Sequence, residues 1–171
     1  MKETVVELLN IDAKEAVKRV RNLGFSEPEA ALRNLKILSE GAFAPFLDEI
    51  LSLAAASPSP CGALNNLETI SSGVGGGLIT ESLSGVGATL ARLVFICGSS
   101  AYLSSILSQH PPLYGWIFAG GGLDQTKGVE DFRAELDAAI GNEQDAESMA
   151  RVLREYKHRE YLRIGARDLL G

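Results

Sequence analysis

Apolar residues recur at steps of three and four along almost the whole chain, and nowhere do they alternate with polar residues over the length of a strand. A step of three or four returns a side chain to the same face of a helix, whereas a sheet buried on one side needs a step of two. The only way to bury such stripes is helix against helix, so the fold class is all-α. Proline and glycine then cut the pattern into short pieces, at Gly24, Gly41, Ser57-Pro58-Ser59-Pro60, Gly73 to Gly77, His110-Pro111-Pro112, Gly120 to Gly122 and Gly141. The expected architecture is an irregular multi-helix bundle with a long C-terminal helix.

The individual elements follow from caps and stops. Asp12 with Glu15 has capping-box spacing, which predicts a helix from Ala13 to Leu23 stopped by Gly24. Ser26 with Glu29 repeats that spacing around Pro28 and predicts a helix reaching Gly41. Pro45 opens a stretch through Phe46, Ile50, Leu51 and Leu53, and the Ser-Pro repeat breaks it. Leu64, Leu67 and Ile70 mark a shorter helix, and further helical stretches span Leu78 to Ser82, Ala88 to Cys97 and Ala101 to Gln109, with a short turn at Leu113 to Phe118. Beyond the glycines, Val129, Phe132, Leu136 and Ile140 form one stripe. From Asp145 onward Met149, Val152, Leu153 and Tyr156 form another. The organisation expected is a single helical region over 1–171, with a first bundle over 1–119 and a helix pair over 123–171.

With 171 residues there is material for one core. Twenty-two acidic against sixteen basic residues leave a net charge of −6, which argues against a nucleic-acid partner, since affinity for a phosphate backbone comes from clustered Lys and Arg. The most apolar segment, Leu90 to Cys97, is short and contains Arg92, so no membrane span is expected. The start Met1-Lys2-Glu3-Thr4 has no secretory pattern, and a cytoplasmic location is expected. Cys61 and Cys97 are expected to be reduced core thiols.

Several motifs imitate functional sites. The run Gly73 to Gly77 lacks both the Lys-Ser/Thr that follows a phosphate loop and a preceding strand. Gly85-Val86-Gly87-Ala88-Thr89-Leu90 has Leu where a dinucleotide fingerprint has its last glycine, and is expected to be a close helix contact or kink. His158-Arg159-Glu160 resembles the opening of a zinc-deaminase signature, but both cysteines precede it. Helical projection places His158 opposite Met149, predicting a solvated histidine, and His110 beside two prolines reads as a helix end. No catalytic, cofactor-binding or metal-ligating constellation is expected.

The C-terminal run from Tyr156 to Gly171 is rich in arginine and ends Leu162-Arg163-Ile164-Gly165-Ala166-Arg167-Asp168-Leu169-Leu170-Gly171. Together with Gly24 to Leu35, Ala63 to Glu68, and Gly98 to Leu103 running on to His110-Pro111, it resembles the bifunctional glutamine synthetase adenylyltransferase/adenylyl-removing enzymes, over nearly the whole chain. The resemblance implies the helical N-terminal region of such an enzyme. It further implies a parent that transfers AMP from ATP to a tyrosine of glutamine synthetase with Mg²⁺, removes it with phosphate, and answers to a PII signalling protein. In that family the metal-binding acids lie in a Gly-Gly and Ser-Asp-x-Asp motif of a nucleotidyltransferase domain after the arginine-rich helix, and this chain is expected to stop before it. The segment is then a scaffold or interaction platform without catalytic residues, which touches glutamine synthetase. The other reading is a free-standing helical protein–protein interaction module.

Within the final helix the projection gathers Glu160, Arg163 and Arg167 on one face, and predicts a structural ion network there. Leu162, Ala166 and Leu169 gather on another face and are expected to form a junction patch for the nucleotidyltransferase domain.

Overall fold

Thr4 opens the first helix with a reciprocal cap. Its hydroxyl accepts from the Glu7 N–H, and the Glu7 carboxylate accepts from the Thr4 N–H. This is a computed structural model describing residues 4–85, 88–141 and 145–171. Helix α1 (Val5–Asn10) is short, and the Val5 N–H donates to Asp48 Oδ1 at 2.6 Å, which anchors it far along the chain. In α2 (Ala13–Asn22) Asp12 caps two N–H groups as expected, but Glu15 turns to Arg19 at 2.8 Å. Gly24, at φ +99°, supplies the left-handed stop. Helix α3 (Pro28–Ser39) departs from its expected cap. Glu27 precedes it without a side-chain bond, and the Ser26 hydroxyl lies 3.6 Å from Cys61 Sγ, which also accepts from the Glu27 N–H at 3.4 Å. The cysteine of a neighbouring helix stands in for the missing box.

A 3₁₀ turn (Ala44–Phe46) leads into α4 (Leu47–Ala55). Helix α5 (Pro60–Gly73) begins earlier than the Leu64 stripe indicates, because Ser59 caps it and Pro60 occupies a first-turn position that needs no N–H. Then come α6 (Gly76–Gly85), α7 (Ala88–Ser99), α8 (Ala101–Gln109) and α9 (Pro111–Phe118). A second 3₁₀ turn (Gly122–Asp124) precedes α10 (Val129–Ile140) and the 25-residue α11 (Ala146–Leu170). The described residues contain no strand.

Helix α5 is the hub, packing on α3, α4, α7 and α8. Its stripe Leu64, Leu67 and Ile70 is fully buried, and meets Leu35, Leu38, Ile50, Leu93, Val94 and Leu107 in one core. Burial of each large aliphatic side chain contributes about 1.5–3 kcal/mol. The glycine run that imitates a phosphate loop is divided between two helices. Gly73 ends α5, where a Cβ would lie 2.3 Å from the Ser108 carbonyl oxygen of α8, while Gly76 and Gly77 open α6. Of the Gly85-Val86-Gly87 motif, Val86 and Gly87 lie outside the described residues. No single described helix is long and apolar enough to cross a membrane. Helices α7 and α8 pass that test only as a pair bent by 120°, and both supply core residues.

Helix α11 changes character along its length. None of its residues before Glu160 is buried, and this half packs beside α10, which has no buried residue either. Leu162 and Ala166, both with 0% exposure, join the shared core where α11 meets α7 and α8.

Candidate functional site

The buried half of α11 carries the densest chemistry of the molecule. Glu160 is 5% exposed and Arg163 4%, one helical turn apart, with Arg163 Nε donating to Glu160 Oε2 at 2.8 Å. Lys127, from the linker before α10, donates to Glu160 Oε1 at 2.7 Å and to Glu135 Oε2 of α10 at 2.8 Å. Arg159 completes the cluster by pairing with Glu135 and, at 3.3 Å, with Glu160. Three cations thus surround two carboxylates. The cations also sit over aromatic faces, since Arg163 and Lys127 lie over the Phe132 ring and Arg159 over the Trp116 and Tyr156 rings. Burial pushes the Glu160 carboxyl up, but the hydrogen bonds and charges of Lys127 and Arg163 together outweigh it and hold the group below the usual carboxylate range.

The structure brings Glu160 and Arg163 together but leaves Arg167 apart from them. Arg167 Nη1 donates to the Gln125 carbonyl and reaches Thr126 Oγ1 at 3.5 Å, and Arg163 Nη1 donates to the same carbonyl at 3.0 Å. Both arginines therefore clamp the linker that delivers Lys127. The helical projection could not show Lys127 and Glu135, because they come from outside the helix. Arg159 was passed over as part of a discarded zinc motif, although its place beside Glu160 is visible in the sequence. The junction patch must be corrected. Leu162 and Ala166 have no exposed surface to offer a further domain, because α7 and α8 already cover them, and only Leu169 is partly exposed.

The solvated histidine is corrected as well. His158 packs its ring against His110, with centroids 4.8 Å apart, and its Nδ1 is buried without a hydrogen-bond partner. His110 is the helix end foreseen, closing α8 and preceding α9. Loss of solvent, then His110 and Lys157, pull the His158 pKa down. Among the described residues no group of three or more His, Cys, Asp or Glu side chains could hold a metal ion. Cys97 is buried, and burial pushes its thiol up to about 12, so it stays protonated at neutral pH and is no nucleophile.

On the outer side of α11 a cleft of about 630 Å³ runs between this helix and the α7–α8 corner. Tyr102 and Tyr161 stand over it edge to face, with centroids 6.3 Å apart. Both are about half exposed, as is Ile164 at 43%. Gly165 forms part of its floor, where a Cβ would lie 3.1 Å from the Leu103 side chain. A smaller cleft, of about 370 Å³, is lined by Arg92, Asp124 and Arg167.

Residues 90–171, which hold α11 and nearly all of α7, match the family model of glutamate-ammonia ligase adenylyltransferase. Over this stretch, just under half of the chain, the sequence is similar to that family. Over 167 residues the chain is 26% identical to a bifunctional glutamine synthetase adenylyltransferase/adenylyl-removing enzyme of Thioalkalivibrio sulfidiphilus. That alignment takes in 94% of this chain and 16% of the relative. The chain therefore spans about one sixth of the length of this adenylyltransferase. No solved structure matches the chain. The adenylyltransferase match covers both the ion cluster and the tyrosine-lined cleft, whereas α1 to α6 are reached only by the comparison with the relative.

Proposed function

We propose that this chain is the helical platform of a glutamine synthetase adenylyltransferase, and that the chemistry belongs to the rest of the parent enzyme. The observation that carries this reading is the alignment with the Thioalkalivibrio enzyme across 94% of the chain but only 16% of that enzyme. A segment of that size contributes structure to a much longer catalyst. In this reading the parent uses ATP and Mg²⁺ to place AMP on a tyrosine of glutamine synthetase and removes it by phosphorolysis. Magnesium bound in the parent would supply neutralisation of the phosphates for that transfer. The platform contributes rigidity, with the Lys127–Glu135–Arg159–Glu160–Arg163 cluster locking α11 against the linker and α10. Glutamine synthetase and a PII signalling protein are the partners of the parent, and the cytoplasm is its compartment.

The test uses labelled ATP, Mg²⁺ and glutamine synthetase. The 171-residue chain alone is expected to leave glutamine synthetase unlabelled, and the full-length parent to label it. Labelling by the chain alone would overturn the platform role, and a parent that labels nothing would overturn the activity.

A further inference from the structure

Two histidines far apart in the sequence stand ring against ring, outside both the ion cluster and the clefts. His110 closes α8 and precedes α9, so its backbone is held by the corner between two bundle helices. His158 lies on the part of α11 that contributes no buried residue, and its ring meets that of His110 at a tilt of 45° with centroids 4.8 Å apart. One residue on, the Arg159 guanidinium lies over the Trp116 ring of α9 at 5.6 Å. These two contacts tie the outer part of α11, from Ala146 to Arg159, to the α8–α9 corner.

The contact accepts only a neutral His158. Its Nδ1 is enclosed without a hydrogen-bond partner. A neutral imidazole can leave that nitrogen as a bare lone pair and carry its proton on Nε2, whereas the imidazolium carries N–H on both nitrogens. Protonation in place would therefore enclose a charged donor with nothing to receive it, which costs more than an unused lone pair. Neighbouring charge gives no relief. Among the described residues the titratable and charged groups that act on His158 are His110, from the α8–α9 corner, and Lys157, from its own helix. Both oppose a further positive charge, and no described carboxylate of α7, α8, α9 or α10 acts on the ring to offset them. Separating the rings would hand Nδ1 to water, where the proton is taken up readily.

We infer that the His110–His158 contact is a pH-sensitive latch, closed while His158 is neutral and released in mild acid, which frees the outer part of α11 from the α8–α9 corner. The sign is that of a histidine whose pKa the closed form lowers: it favours closure above the ordinary 6.5 and ceases to do so as the pH falls below that value. Glu160 sets where the movement ends. Its carboxyl is held below the usual carboxylate range and keeps its charge while the histidine titrates, so its pairs with Lys127 and Arg163 persist. With Leu162 and Ala166 in the core, α11 stays seated from Glu160 onward and pivots there.

The experiment uses Trp116, the only tryptophan of the chain, as an energy-transfer donor inside the α8–α9 corner. The acceptor is a thiol-linked dye whose absorbance does not titrate in this range, placed in a Cys61→Ser background where the remaining Cys97 is buried. One protein carries it at Arg154→Cys on the outer part of α11, and a second at Asp168→Cys on the seated part, both exposed positions. Transfer is measured against the unlabelled protein at each pH, which removes changes in tryptophan emission itself. Transfer to position 154 should be lost progressively between about pH 7 and pH 5.5, while transfer to position 168 stays constant. His158→Phe should make transfer to position 154 independent of pH, and His158→Gln, a second side chain that does not titrate, should do the same if the phenyl ring misfits. Constant transfer to position 154 in the unsubstituted background would overturn the proposal. Equal losses at 154 and 168 would also overturn it, in favour of unfolding of the whole bundle, and so would a loss at 154 that persists when His158 is replaced.

Discussion

Glu160 shows how much a single buried charge depends on its partners. Its two oxygens are shared among Lys127, Arg159 and Arg163, of which Lys127 and Arg163 have side chains only 6% and 5% exposed. Removing the carboxylate leaves the nearly dry Arg163 to the neutral Gln125 carbonyl and Lys127 to Glu135, and breaking one side of an enclosed pair costs about 3–5 kcal/mol. Glu160→Ala should therefore lower the urea midpoint strongly. A charge-free replacement of the whole trio, Lys127→Met with Glu160→Met and Arg163→Met, should recover much of that loss. If Glu160→Ala costs less than about 1 kcal/mol, the cluster is effectively solvated. His158 gives the opposite dependence on charge. With its pKa held below the ordinary 6.5, the unfolded chain binds the proton more readily than the folded one. Its contribution is complete above pH 6.5 and falls away as the pH drops below that value toward the folded pKa. Unfolding measured between pH 7.5 and pH 5 should show this loss, and His158→Phe should flatten that part of the curve. An unchanged slope in the variant would assign the acid sensitivity to other groups.

At the scale of elements, the glycine run provides a contrast between neighbours only four residues apart. Gly73→Ala places a methyl group 2.3 Å from the Ser108 carbonyl oxygen, so α5 and α8 must separate, a kind of overpacking that typically costs about 1–3 kcal/mol. Gly77→Ala meets nothing within 4 Å in the first turn of α6 and should stabilise by up to about 1 kcal/mol through helix propensity. Thermal unfolding of the two variants should shift in opposite directions, and shifts of the same sign would show that the α5–α8 approach is not tight. The elements themselves were largely legible in the sequence, because Gly24, Pro60, Pro111 and Gly141 act locally and their effects need no knowledge of the fold. Helix α1 escaped notice because it is only six residues long, although Thr4 and Glu7 carry its cap in plain view. The Ser26 cap failed for the reverse reason, since Cys61, thirty-five residues away, offers a competing partner that no local pattern reveals. The same limit governed the site. Glu160 and Arg163 are visible as neighbours on one helix, while Lys127, Glu135 and the covering of Leu162 by α7 and α8 are products of tertiary contact.

Across the whole molecule, burial is unevenly divided, and stability should be divided in the same way. The core runs from Val5 to Ala166, yet α10 and the first half of α11 contribute no buried residue. What holds this hairpin is its packing against itself together with polar contacts from Glu135 to Lys127, Arg159 and Tyr156. Segments that bury little apolar surface open at a lower free energy than the global transition, because opening them sacrifices little hydrophobic stabilisation. The second half of α11 is different, since releasing Leu162 and Ala166 would expose α7 and α8 as well. Hydrogen exchange followed by mass spectrometry should therefore divide α11 near Glu160. Amides of 129–140 and 146–157 should exchange together, well before those of 162–168, which should follow α5 and α7. Glu135→Gln should speed exchange in the first group and leave the second unchanged, because it removes the carboxylate that ties α10 to Lys127 and Arg159 without touching the core. Uniform protection along α11 would show instead that the ion cluster couples the hairpin fully to the bundle, and that the long helix opens only when the whole fold does.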